Sequence, residues 1–396
     1  MKTGLKNGSS ISFSFDADAE DRENIVIQGA KSVNGQYFVT SPKIVIEGKV
    51  KRLNAISCEL TSLDVSRNPE LVLINCTYNA LQQLKLSGNP ALEILLCDNN
   101  ALKKLDVSKN KNLILLSCSQ NKLKALDVSH NIQLVSLLCG DNQIKAFNFS
   151  KNSLLEHINC DNNRMETLDV SNNPKLTNLE FSGNQLTDLD VSSSISLKVL
   201  NCSNNNLKVM DLSGNVNLEF LDCGYNPFEK LDLSSNKNLR ELICKGSDLT
   251  VLDLSHNVFL QQLDCAENLL DNLDLSKQAQ LEYLNCSHNH FQTLNLSTNE
   301  SLSVISLYGN DFSACELDDL FRQLYVRNPI PGYIYVKYDE VSLPGTDGCR
   351  EYIANEKNWQ VLLIYLDPCT DPTHHGHSFH EIPEAINNTG KYSCVN

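Results

Sequence analysis

From residue 76 to residue 307 the apolar positions recur with a step of 21. In LILLSCSQNKLKALDVSHN, at 113–131, the apolar positions that recur with this step are Leu113, Leu116, Cys118, Leu123, Leu126 and Val128. Leu116-Ser117-Cys118 alternates, which predicts a short strand with Leu116 and Cys118 inward and Ser117 outward. On that expectation Leu116 is core and Ser117 is replaceable by alanine at almost no cost. Leu126 and Val128 form a second inward pair, on an opposite wall. So short a repeat leaves little room for helices between the walls, and extended or turn segments are expected there.

Other columns keep the same step. Ser fills the series 66, 87, 108 through 297, and Asn fills 79, 100, 121 through 310 except at Ser247. Cys occupies 76, 97, 118, 139, 160, 202, 223, 244, 265 and 286, with Phe181 and Leu307 in the remaining slots. The consensus is L-x-x-L-x-C-x-x-N-x-L-x-x-L-D-V-S-x-N-x-x, the signature of a leucine-rich repeat solenoid. Asn121 stands where the chain leaves the strand, so its amide is expected to serve unpaired backbone groups and to stack with its equivalents as a ladder. A cysteine is a small buried hydrophobe, suited to the narrow space between two walls. Neighbouring strands lie about 4.8 Å apart with parallel Cβ vectors, which suits disulfide torsion poorly, so this column is expected to be reduced.

Both ends depart from the period, as a solenoid's ends must if the terminal apolar faces are to be covered. ISFSF at 11, NIVIQG at 24, QYFVT at 36 and KIVIEG at 43 predict an N-terminal β cap over 1–52. The array of about twelve repeats then runs over 53–310, with an irregular first turn because Cys58 lies 18 before Cys76. Ser313 and Glu316 form a capping box that opens a helix with Leu317, Leu320, Phe321 and Leu324 on one face. GYIYVKY at 332 and WQVLLIYL at 359 read as strands, and CREYIANEKN at 349 as a short helix. These predict an α/β C-terminal cap over 311–366, followed by an irregular His- and Pro-rich tail over 367–396.

The 21-residue repeat with its cysteine column and LDVSxN run resembles internalin J and related leucine-rich repeat proteins of bacterial surfaces, over about residues 53 to 310. The resemblance implies a curved, right-handed solenoid of the α/β kind, mostly β and turns. It also implies an extracellular or cell-surface scaffold, often adhesive, that is not an enzyme and carries no cofactor. The C-terminal unit is similar to caps that follow bacterial repeats of this kind.

Charge narrows the partners. The net charge is -15, which argues against nucleic acid and anionic membrane surfaces. No run of 18 apolar residues suggests a membrane span. The first fifteen residues lack the apolar core of a signal peptide, which a secreted chain loses on processing. Four cysteines stand outside the column: Cys315, Cys349, Cys369 and Cys394. An even remainder suggests two disulfides. Three pairings are possible, Cys315 with Cys349 and Cys369 with Cys394 being favoured, and free thiols are the alternative. His374, His375, His377 and His380 near Cys369 would suit a transition metal, but no second ligand pair has fixed spacing, so a solvated tail is expected and no metal site is assigned. LPGT at 343–346 resembles a sorting signal, yet Asp347 follows and no apolar tail does, so a turn is expected. The aspartate column (106, 127, 169 and onward) is read as local backbone acceptors rather than as calcium ligands, which need six to eight oxygens at about one point. No nucleophile–base constellation or phosphate loop occurs.

The implied ligand surface is the concave strand face. In the first half its outward positions include Leu73, Ile94, Leu96, Leu115 and Leu138, an apolar strip. In the second half they include Phe220, Asp222, Tyr225, Glu241, Asp264, Tyr283, His288 and Tyr308. Aromatics dominate binding hot spots, so this half is the candidate ligand face, for a protein or glycan. A structural spacer displaying the C-terminal unit is the alternative, and metal-dependent activity of the His-rich tail a weaker one. Oligomeric state is open.

Overall fold

The structure, a computed structural model, describes residues 1–18, 20–21, 24–228, 230–338 and 350–364. It is a β-solenoid of about twelve turns, each contributing one three-residue strand to a parallel sheet. The register advances by 21 at every step: Leu115 pairs with Ser136, Ser136 with His157, His157 with Asn178 and so on to Val304. Among the described residues this sheet has sixteen strands. The opposite wall holds the LDVS runs, which are extended or turning rather than helical.

The core is a set of columns between these walls. In one turn Leu113, Leu116, Cys118 and Leu123 are fully buried, and Leu126 and Val128 nearly so. The ten column cysteines are buried and free. Several thiols donate to the carbonyl that precedes the next turn's column residue: Cys97 to Ser117 at 3.3 Å, Cys139 to Asn159 at 3.4 Å and Cys160 to Glu180 at 3.5 Å. The small side chain therefore does two things: it fits the gap and it adds a weak bond between turns. Burial pushes these thiols far up, Cys76 to about 12, so the nucleophilic thiolate is absent near neutral pH.

Two amide ladders close the turns. Asn121 Nδ2 donates to the carbonyls of Cys97, Cys118 and Ser119, while its Oδ1 accepts from the Leu102 amide. One side chain thus holds two successive turns. At the gap the Phe228 amide, which would meet the missing Oδ1, donates to Asn226 O at 2.8 Å instead, and Ser247 Oγ donates to Lys245 O at 3.3 Å. The second ladder is the Asn of LDVSxN, whose role the spacing alone did not reveal. Asn110 Nδ2 donates to Leu86 O and Asn89 O, and Asn131 repeats this one turn on. Gln278 fills one slot with the same two bonds. The Oδ1 atoms of this ladder are buried and meet no donor among the described residues, a recurrent polar cost within the array. The aspartate column acts locally: Asp106 Oδ1 accepts from Ser108 N at 2.9 Å. That backbone bond and then the Ser108 hydroxyl hold its carboxyl below the usual range.

The ends differ in how they cover the core. Ser14–Asp16 pairs antiparallel with Arg52–Asn54, which begins the parallel sheet. Lys2–Thr3 pairs with Leu60–Asp64 on the opposite wall, and a strand at Ala30–Val33, absent from the sequence reading, pairs with Gln36–Val39. The short first turn is filled: Cys58 is buried and its thiol donates to Ser12 O at 3.1 Å. At the other end, helix Ala314–Gln323 starts from Ser313 with both bonds of the capping box, and Leu317, Leu320, Phe321 and Leu324 are buried. Strand Gly332–Tyr338 continues the array's sheet beside Val304–Ser306, and Trp359–Ile364 pairs with it in turn. The second helix is shorter than expected, Glu351–Asn355.

Ser117 departs from expectation. It points to the concave side but is only 6% exposed, and its Oγ donates to Asp98 Oδ1 at 2.6 Å. The Asp98 side chain of the preceding turn covers it, so outward is not the same as solvated. Ser117→Ala should therefore cost about 1–2 kcal/mol rather than nothing, against about 2–5 kcal/mol for Leu116→Ala; denaturant unfolding of both variants checks the order. The column thiols should resist Ellman's reagent in the native chain and react only on unfolding, and rapid labelling under native conditions would contradict the packing described.

Candidate functional site

The strand register fixes which candidate side chains are neighbours. Phe220, Glu241, Gln262, Tyr283 and Val304 form one row across consecutive strands. Asp222, Ile243, Asp264, Asn285 and Ser306 form the next. Tyr225, His288 and Tyr308 follow the strands, on the turns that leave them. The cap adds to it: Tyr333 continues the first row and Tyr335 the second. These two tyrosines escaped the repeat analysis because the period ends before them, although the alternation in GYIYVKY already sets Tyr333 and Tyr335 opposite buried Ile334 and Val336.

The residues so assembled are not equally presented. His288 is exposed, while Phe220, Asp222, Tyr225, Glu241, Tyr283 and Tyr308 are half-buried. Asp264 is only 3% exposed and lies at the foot of the face, its Oδ1 accepting from the Ala266 amide at 3.1 Å. Burial raises its carboxyl to about 6 despite that bond and the nearby positive charge of Lys245. Burial likewise raises Asp222, again opposed by Lys245. Tyr225 is pushed up to about 12, by burial first and then by Glu267 and Asp264, and burial raises Tyr283 as well.

Lys245 and Glu267 were not singled out by sequence. Lys245 Nζ lies 5.3 Å from the centre of the Tyr225 ring, within cation–π range. The Tyr225 hydroxyl donates to Glu267 Oε1 at 3.5 Å. His288 and Tyr308 meet edge to face, centroids 5.1 Å apart.

Backbone conformation explains why bulky groups are unusual here. The second residue after each column residue has positive φ, as at Asn99, Asp141, Asn162 and Asn204, or is glycine. Asparagine and glycine suit that left-handed region and larger residues do not. Tyr78, Gln120, Tyr225, Glu267 and His288 nonetheless occupy it, with φ of 56, 53, 52, 55 and 50°; of these, Tyr225 and His288 are on the candidate face. Two of them need a glycine one turn on. A Cβ on Gly246 would fall 2.6 Å from Tyr225 Cδ1, and one on Gly309 would fall 2.5 Å from His288 Nδ1.

A second carboxylate group lies nearer the middle of the face. Asn159 Nδ2 donates to both Asp161 Oδ2 and Glu180 Oε2 at 2.9 Å, and Asp161 Oδ1 accepts from Ser182 N. Burial, then repulsion by Glu180, lifts Asp161 to about 7. The apolar strip of the first half is in place, with Leu73, Ile94, Leu96, Leu115 and Leu138 half-buried. It borders a shallow concavity of about 360 Å³ lined by Phe15, Asp16, Arg52, Asn54, Leu73 and Leu96, among others.

Among the described residues no group of three or more His, Cys, Asp or Glu could hold a metal ion, and no helix is long and apolar enough to cross a membrane. Cys315 is exposed with a free thiol. Its favoured partner Cys349, with Cys369, Cys394, the LPGT turn and the histidine run, lies outside the described residues.

No protein-family model and no curated protein matches the sequence. Solved structures do. The functional domain of InlJ from Listeria monocytogenes, which includes a cysteine ladder, is 28% identical, with a TM-score of 0.62 over 73% of this chain and 75% of that one. A leucine-rich repeat protein of Leptospira interrogans is 22% identical, with a TM-score of 0.59 over 67% and 80%. An internalin, InlF, of L. monocytogenes is 16% identical, with a TM-score of 0.61 over 78% and 86%. The last two share the fold.

The raised carboxyls set a pH dependence. An unfolded aspartate titrates near about 3.9, whereas folded Asp264 and Asp161 do so at about 6 and about 7. Between about pH 4 and 7 the native state holds protons the unfolded state has released, so their contribution to stability falls as pH rises through that window. Asp161→Asn should therefore gain in Tm relative to the parent at pH 8 and gain least at pH 4, as read by thermal unfolding at both.

Proposed function

We propose that this chain, a leucine-rich repeat protein of the cysteine-ladder type, is a noncatalytic extracellular or cell-surface scaffold that binds a protein or glycan through the C-terminal half of its concave face. The observation that carries this reading is the gathering of Phe220, Tyr225, Tyr283, Tyr308 and the cap's Tyr335 beside partly buried carboxylates on a rigid sheet. Half-exposed aromatics give large contact area at low entropic cost. The array supplies the rigidity: core and amide ladders fix each strand, so the face is preorganised and little ordering cost attends binding.

The expected domain plan serves this use: a β cap over 1–52, the array over 53–310, an α/β cap over 311–366 and a tail over 367–396. The reading assigns no cofactor, metal or nucleic acid. The test is a screen against extracellular proteins and glycans with the parent chain and the variant Phe220→Ala/Tyr225→Ala/Tyr283→Ala. The variant should keep its circular dichroism and its Tm within a few degrees while losing the partner by at least about a hundredfold, as expected for about three aromatic anchors. Full retention of binding by a folded variant would remove this face from the function.

A further inference from the structure

We infer that the C-terminal concave face receives a lysine- or arginine-bearing segment of a partner polypeptide, and that Lys245 occupies its cation subsite in the free chain. The inference rests on the reading of this face as the binding surface and adds the chemistry of what it takes.

Charge complementarity favours such a segment. From Asn178 to Ser306 the face carries Glu180, Asp222, Glu241, Asp264 and Glu267 against one lysine, Lys245. The chain as a whole carries -15, so the field here is not cancelled from a distance.

The placement of that lysine points the same way. Asp222 and Asp264 flank Ile243 in one row, which sets their backbones about 10 Å apart, two strand spacings. Lys245 lies two residues past Ile243, just beyond the end of the strand between them. Its ammonium lies over the Tyr225 ring, and its charge draws both buried carboxyls back towards ionisation. An aromatic face between carboxylates is a setting that selects a cation, and the chain's own side chain demonstrates the fit.

The repeat is altered at this point and nowhere else in the asparagine ladder. The column of Asn79 through Asn310 breaks at Ser247, two residues after Lys245. Gly246 gives the Tyr225 ring its seat, and Asp248 adopts a left-handed φ of 55°. Departures from the local rule that weaken a ladder are expected where a surface has been shaped for use. A lysine on a flexible stem is a tethered occupant: it keeps the subsite neutralised in the free chain and leaves when a better-placed cation arrives.

The experiment measures binding of fluorescent decalysine, decaarginine and decaglutamate peptides to the full chain by anisotropy, at low and moderate salt. The two cationic peptides should bind and weaken with salt; decaglutamate should not bind. Lys245→Gln should bind them about tenfold more tightly, the scale of one desolvated cation–π contact, and Lys245→Met serves if that variant folds poorly. Asp222→Asn/Asp264→Asn should weaken them to a similar degree. If decalysine binds no better than decaglutamate, or if a folded Lys245 variant binds no more tightly than the parent, the inference falls. The partner screen keeps the two ideas apart: loss of a captured partner in the aromatic variant but not in the charge variants would leave the face standing and remove its cationic ligand.

Discussion

The structure depends on the side-chain amide that spans two turns. A three-residue strand gives each coil too few ladder hydrogen bonds to fix its place, and the sharp exit from the strand leaves carbonyls with no regular partner. Asn121 meets three of these and accepts a backbone amide from the previous turn. Asn110 performs the equivalent task on the opposite wall. A leucine in either place would leave several buried polar groups unpaired, each worth about 1–3 kcal/mol. Apolar columns make the coils stack; the amides decide that they stack in one register.

The cysteine column follows from that register. Once the walls are fixed, the slot behind each strand admits a small residue, and a thiol there can also reach a carbonyl of the next turn. The large upward displacement of the thiols comes from the same burial. Reduced and unreactive behaviour is therefore a packing property, requiring no protection by compartment.

Much of this was legible in the sequence because a repeat states its rule many times. The period, the inward columns, the capping box at Ser313 and the local role of Asp106 were all readable from spacing. What escaped depended on three-dimensional crowding or on a break in the rule. Ser117 faces outward as alternation requires, yet Asp98 covers it. Asp264 was expected on the face and is nearly buried at its foot. Lys245 and Glu267 are unremarkable in composition and acquire meaning through Tyr225. Tyr333 and Tyr335 belong to the cap by sequence and to the concave face by register.

The seating of Tyr225 on Gly246 and of His288 on Gly309 has a consequence for how such an array can change length. Over most of the rod, recombination that adds or drops a whole coil leaves every column matched, because each unit meets a near copy of its former neighbour. Here it does not. Excising the coil that carries Gly246 would lay Tyr225 against Glu267, where a side chain already stands. The aromatic end, like the earlier pair of Asn162 and Gly183, is thereby pinned to its present order of coils, while coils without such a pair can be gained or lost.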